Sequence, residues 1–188
     1  MRRTKLLAAP LFLSLAACSG LVDGTRLKVE SVDSRDAPAA AATISRFRAS
    51  QGLGAVKVDD VLNAAARQQA EAMAANGKLS HNVAGSFDSR MQAMGFKWGY
   101  SAENLGMGYD DLAEAVAGWQ ASPGHRKNLL MPQATRIGLA RARSGRTNYW
   151  ALVLASPDMT PDGRPKVAEA GNPRSAPFSW GSGFVAHR

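Results

Sequence analysis

The segment TRIGLARARSGRTNYWALVLAS, residues 135–156, constrains this chain more than any other. It reads as a β-hairpin with Ser144-Gly145 at its turn. In the second strand Tyr149, Ala151 and Val153 point one way, while Trp150, Leu152 and Leu154 point the other. Both faces are apolar, so the strand must be covered on both sides. A small sheet buried on two faces needs a layer of helices on each. The expected fold class is therefore α+β, a three-layer α–β–α sandwich around a small antiparallel sheet. A third strand is expected from Tyr100 to Met107.

The helices needed for the outer layers can be read from apolar spacing. One is predicted over 38–51, with Ile44 and Phe47 on one face and Gly52 ending it. VDDVLNAAARQQAEAMAANGK is the clearest: Asp59 or Asp60 caps it, and Leu62, Ala66, Ala70 and Met73 form a stripe. Asn76-Gly77 stops it. A short helix runs from Phe87 to Met94, capped by Ser86 and closed by Gly95. A fourth spans 112–120, with Leu112, Ala115, Val116 and Trp119 on its inner face. Pro123 cannot continue it, because proline lacks an N–H and clashes with the preceding turn. The backbone must break at Ser122-Pro123-Gly124, and His125 follows the break. Met73, Met91, Met94 and Met107 read as core filler.

The N-terminus belongs to a different class of sequence. Arg2, Arg3 and Lys5 precede an apolar run over 6–17 that is shorter than the roughly 20 residues of a bilayer span. This is an export signal over 1–17, to be set aside in reasoning about the fold. Its end, Leu15 to Cys18, resembles the lipobox of bacterial lipoproteins. That resemblance implies cleavage before Cys18, lipidation of its thiol and, with Ser19 following, an outer-membrane location. A plain secretory signal with an incidental cysteine is the alternative. Residues 18–36 are expected to form a lipidated tether, and 37–156 the folded domain. Residues 157–188 hold five prolines and four glycines without periodicity and read as a disordered tail, although Phe178, Trp180 and Phe184 could dock.

Loss of Arg2, Arg3 and Lys5 with the signal lowers the formal charge from +8 to +5. The remaining cations form no stripe and no reader motif, so nucleic acid is excluded as a partner. The one cysteine is Cys18, so the mature chain needs no disulfide. A monomer is expected, held to the membrane by its N-terminal lipid.

Three polar segments, LSHN (79–82), SAENLGMG (101–108) and WQASPGHRKNLL (119–130), each place an ionisable residue at the end of an expected element. His81, Glu103 and His125 are 22 residues apart in turn, so spacing alone does not bring them together. Each could equally be a hydrogen-bonded structural residue. Arg126 and Asn128 read as anchors for the turn after the break.

The order HN, ENL, W…GHR.N.L, then IG.A…YW resembles the CAP superfamily: cysteine-rich secretory proteins, antigen 5 and pathogenesis-related 1 proteins. The likeness is to its compact, cysteine-poor bacterial branch and runs over 44–155. It implies an α–β–α sandwich with two histidines and two acids in a surface cleft. On this chain those are His81, His125 and Glu103, with Asn82 and Ser122 lining the cleft. The second acid is expected three residues after Trp119, where Ser122 stands instead. Asp111 and Glu114 lie close by, but Asp-x-x-Glu before an apolar run reads better as a capping box.

The resemblance implies weak divalent metal binding, zinc above all, by His81, Glu103 and His125, with no cofactor strictly required. A peptidase mechanism needs a general base beside metal-bound water, and the missing acid removes one. Glu103 would be the catalytic residue if the chain were an enzyme. Ser122 lacks the strand-to-helix elbow of a serine hydrolase. The reading is a non-catalytic, lipid-anchored envelope module that binds a small apolar or envelope ligand. The alternatives are a metal-dependent, peptidase-like hydrolase of the envelope and an adhesion or host-interaction surface.

Overall fold

The computed structural model describes residues 26–96 and 99–156. The export signal, Cys18 and the tail over 157–188 lie outside the described residues. The sheet is built on the expected hairpin, β4 (Arg136–Ser144) and β5 (Thr147–Ser156), whose register closes at Ser144 opposite Thr147. The turn is thus Gly145-Arg146, one residue later than expected. Gly145 takes φ 57° there, the left-handed conformation that a two-residue hairpin turn requires. β3 (Tyr100–Met107) pairs antiparallel with β5 along its whole length, over the predicted residues.

On the other side of β4, β1 (Ser31–Asp33) pairs antiparallel with Arg141 to Arg143, and β2 (Lys57–Val58) pairs parallel with Arg136 and Ile137. Across the main sheet the order is β1–β4–β5–β3. Residues 26–36, assigned above to the tether, are therefore part of the folded body. Three residues in a polar context carry too little periodicity to be read as a strand. Their partner across the sheet defines them.

The helices are α1 (Ala37–Ala49), α2 (Asp60–Asn76), α3 (Phe87–Ala93), α4 (Leu112–Ala121) and α5 (Pro123–Leu129). Two cores form, one on each face of the sheet. Trp150, Leu152, Leu154, Ile137 and Leu139 pack under α1, α4 and α5 with Trp119. Tyr149, Ala151, Val153, Ala140 and Ala142 pack under α2 and α3 with Leu62, Met73 and Met91. The alternation read in β5 is the alternation observed, and the three-layer sandwich follows from it. The four methionines named above all lie in or against the α2–α3 core.

Both long edges of the sheet are closed by side chains. Between β2 and β1 the N–H of Leu139 would be left over, and Asn63 Oδ1 accepts it at 3.0 Å. Along β3 the outward carbonyls of Glu103 and Leu105 accept from Asn128 Nδ2 at 3.4 Å and from Trp119 Nε1 at 2.9 Å. Polar backbone groups at a buried edge must find such partners or cost stability.

α5 departs from the sequence reading. Pro123 ends α4, as expected, but it also begins a new helix at its first position. Its missing N–H is no loss there and its fixed φ is already helical. His125 therefore sits in the first turn of a helix, not in a loop. Among the described residues no helix is long and apolar enough to cross a membrane.

Candidate functional site

Glu103 lies on β3 with its side chain directed towards α2 and α3, and it is 1% exposed. A carboxylate in such a place stays ionised only if its charge is met. Arg90 of α3, itself 1% exposed, pairs with Oε2, and Arg90 Nη1 also donates to the carbonyls of His81 at 2.9 Å and Gly85 at 2.8 Å. The other oxygen, Oε1, lies 2.8 Å from Nδ1 of His81. An ionised carboxylate can only accept, so His81 carries its proton on Nδ1 and Nε2 is its second ring nitrogen. Arg90 thus fixes the carboxylate, the carboxylate fixes the ring, and Arg90 holds the His81 carbonyl as well.

His125 comes from the opposite side of β3, on α5. Asn104 Nδ2 donates to its carbonyl at 3.1 Å, and Asn128 Nδ2 donates to Asn104 Oδ1 at 2.8 Å. This pair of amides clamps α5 to the strand. The His125 ring is 3% exposed, and its Nδ1 has no hydrogen-bond partner among the described residues. Burial, with a smaller effect from neighbouring His81, lowers its pKa from the usual 6.5 to about 4. His125 is therefore a neutral imidazole at pH 7.

The remaining expected residues behave differently. Asn82 is exposed in the turn after Ser80, where its N–H donates to Ser80 Oγ at 3.2 Å. Ser122 is 8% exposed and joins α4 to α5, its carbonyl accepting from Arg126 N at 2.8 Å. Glu114 does not substitute for the second acid. Its Oε2 accepts from Asp110 N at 2.9 Å while Asp111 Oδ1 accepts from Glu114 N at 2.9 Å, a capping box. Asn128 is an anchor, as read, and Arg126 lies over the Phe47 ring at 4.8 Å.

The expected triad does not come together as a three-ligand metal group among the described residues. Glu103 is 1% exposed and each of its oxygens already accepts a hydrogen bond, so the carboxylate serves to orient His81 rather than to face an open metal position. Two imidazoles fall short of the three or four protein ligands of a zinc centre. Among the described residues no group of three or more His, Cys, Asp or Glu side chains is placed to hold a metal.

The sequence reading missed Arg90 and Arg48. Each lies in an apolar stripe, Arg90 three residues after Phe87 and Arg48 four after Ile44. A cation among inward-facing positions was the available signal. Arg48, fully buried, donates to the carbonyls of Gly54, Leu129, Met131 and Ala134 at 2.8–3.0 Å.

On the other face of the sheet a cleft of about 370 Å³ opens between the starts of α1 and α4, lined by Asp36, Thr43, Asp111, Leu112, Ala113 and Arg141. Arg141 lies over the Trp150 ring at 5.2 Å.

Comparison with known proteins agrees with this architecture. YkwD of Bacillus subtilis is 33% identical over 100 residues, covering 52% of this chain and 39% of its own length, so the chain spans well under half of that relative. Among solved structures, an outer surface protein of Borrelia burgdorferi has a TM-score of 0.62 at 20% identity, covering 69% of this chain and 98% of its own. An extracellular protein with an SCP domain from Bacillus anthracis has a TM-score of 0.57 at 23% identity, covering 63% of this chain and 39% of its own. These two likenesses establish the fold. Residues 42–155 match the model of the Cysteine-rich secretory protein family (CAP), and the chain belongs to that family.

Proposed function

We propose that this protein is an exported bacterial envelope module, anchored through an acylated Cys18, whose domain binds a small amphipathic ligand without catalysing a reaction. The observation that carries the reading is the engagement of Glu103. The one carboxylate of the histidine site is buried, with one oxygen on Arg90 and the other on His81. A general base must reach a substrate proton, and Glu103, 1% exposed, is shut away behind Arg90 and His81. His81 and His125 would hold a divalent ion only weakly.

The ligand reading draws on the cleft between α1 and α4. Leu112, Ala113 and Thr43 give it apolar wall, while Asp36, Asp111 and Arg141 put charges of both signs in its lining. An apolar body with a polar head fits that lining. The relatives above include an outer surface protein and an extracellular one, which accords with export.

Organic extraction and mass spectrometry of the purified protein should recover an amphiphile from the wild type and little from Leu112→Asp. An empty wild-type protein, or equal recovery from both, overturns the ligand. Palmitate labelling that vanishes in Cys18→Ala tests the anchor, and an unlabelled wild type overturns that.

A further inference from the structure

Arg26, the first described residue, follows Cys18 by eight positions. It also stands at one defined end of the molecule. Leu27 N donates to Ala75 O at 2.7 Å, Ser144 Oγ donates to Lys28 O at 2.9 Å, and Glu30 N donates to Arg143 O at 2.8 Å. Residues 26–30 are thereby held between the C-terminus of α2 and the β4–β5 turn. Five exposed cations gather at this end: Arg26, Lys28, Lys78, Arg143 and Arg146. The acids here are Glu30, 3.8 Å from Arg143, and Asp110 and Asp111 beyond the end of β3, so positive charge is in excess.

Among these cations sits Leu27, 47% exposed, with Cδ1 against Gly77. The other large hydrophobic exposed among the described residues is Val61, in the first turn of α2, at the opposite end of the sandwich. An exposed leucine flanked in sequence by arginine and lysine gains nothing from water. It gains from an anionic bilayer, where the apolar group enters the headgroup layer and the cations meet phosphates. Eight residues reach at most roughly 28 Å. An acylated Cys18 therefore keeps this end of the domain within that distance of the membrane surface.

We propose that the end formed by residues 26–28, the β4–β5 turn and Lys78 is a docking surface for an anionic phospholipid bilayer. Leu27 enters the headgroup layer, and Arg26, Lys28, Lys78, Arg143 and Arg146 face the phosphates. The proposal rests on acylation of Cys18 for its proximity. Docking turns β2 and the start of α2 away from the bilayer.

The test uses the full chain, processed by its host and reconstituted into vesicles of neutral phospholipid with or without phosphatidylglycerol. An environment-sensitive fluorophore is placed through Leu27→Cys or, as the far-end control, Val61→Cys, and quenched with brominated acyl chains. The fluorophore at 27 should be quenched in anionic vesicles only, and lose its quenching as salt is raised, while the one at 61 stays unquenched. Each cation near an anionic surface contributes roughly a fivefold gain. Lys28→Gln with Arg146→Gln should thus lower the docked-to-undocked ratio roughly 25-fold, whereas Lys57→Gln with Arg67→Gln should not change it.

Vesicle flotation separates this outcome from that of the anchor. Protein that floats but is quenched equally at 27 and 61, or at neither, overturns the docking surface and keeps the anchor. Protein that is not acylated yet binds anionic vesicles through Lys28 and Arg146 keeps the surface and overturns the anchor. Absence of both overturns both.

Discussion

Glu103 shows how much a single carboxylate can organise when water is kept from it. One oxygen answers Arg90 and the other His81, so three segments distant in sequence meet on one functional group. Removing one member of a buried pair leaves the other uncompensated, a loss of about 3–5 kcal/mol. Glu103→Gln should lower the unfolding free energy by that amount, read as a lower urea midpoint at unchanged denaturant slope. An unchanged midpoint would mean that the pair contributes nothing net.

His125 gives the fold a pH dependence of definite sign. Its folded-state pKa of about 4 lies below the usual 6.5, so on acidification the unfolded chain takes up the proton first. Its contribution to stability is intact above pH 6.5 and is lost as pH falls towards 4, by up to about 3 kcal/mol. Unfolding free energy measured across that window should fall in the wild type and fall less in His125→Asn. Parallel curves for the two proteins would remove His125 as the cause. Of these residues, His81, Glu103 and His125 were legible from motif order. Arg90 was not, because a charged side chain in a short helix ordinarily reads as solvated.

Among the elements, the sheet was the most legible and its margins the least. The alternation in 147–156 predicted a strand covered on both faces, and β5 is such a strand. β1 and β2 carry no pattern of their own, since a strand of two or three residues is defined by its partner. Pro123 was read for what it ends and not for what it begins, although both follow from the same missing N–H. The close seat of α2 on β4 was also unread in the sequence. A Cβ at Gly138 would lie 2.0 Å from the carbonyl carbon of Leu62, and main chain cannot step aside as a flexible side chain does. Gly138→Ala should cost about 2–3 kcal/mol through a forced shift of α2. Gly54→Ala, with nothing within 4 Å, should leave thermal unfolding nearly unchanged. Equal melting of the two variants would deny the contact its importance.

On the scale of the whole molecule, three layers followed from one hairpin because a sheet apolar on both faces admits few other solutions. The polar cross-links that fix the layers against one another were beyond sequence reading, since they join residues far apart along the chain. Arg48 is the extreme case. It belongs to the first helix, yet three of its four carbonyl partners lie 81 to 86 residues later. Contacts of that separation form late, after the intervening chain has been ordered. As the chain leaves the ribosome N-terminus first, α1 and α2 have no sheet to pack on until the final strands emerge. With its helices unable to close on a sheet until β4 and β5 are made, such a chain commits to its fold only when the hairpin over 136–156 is available.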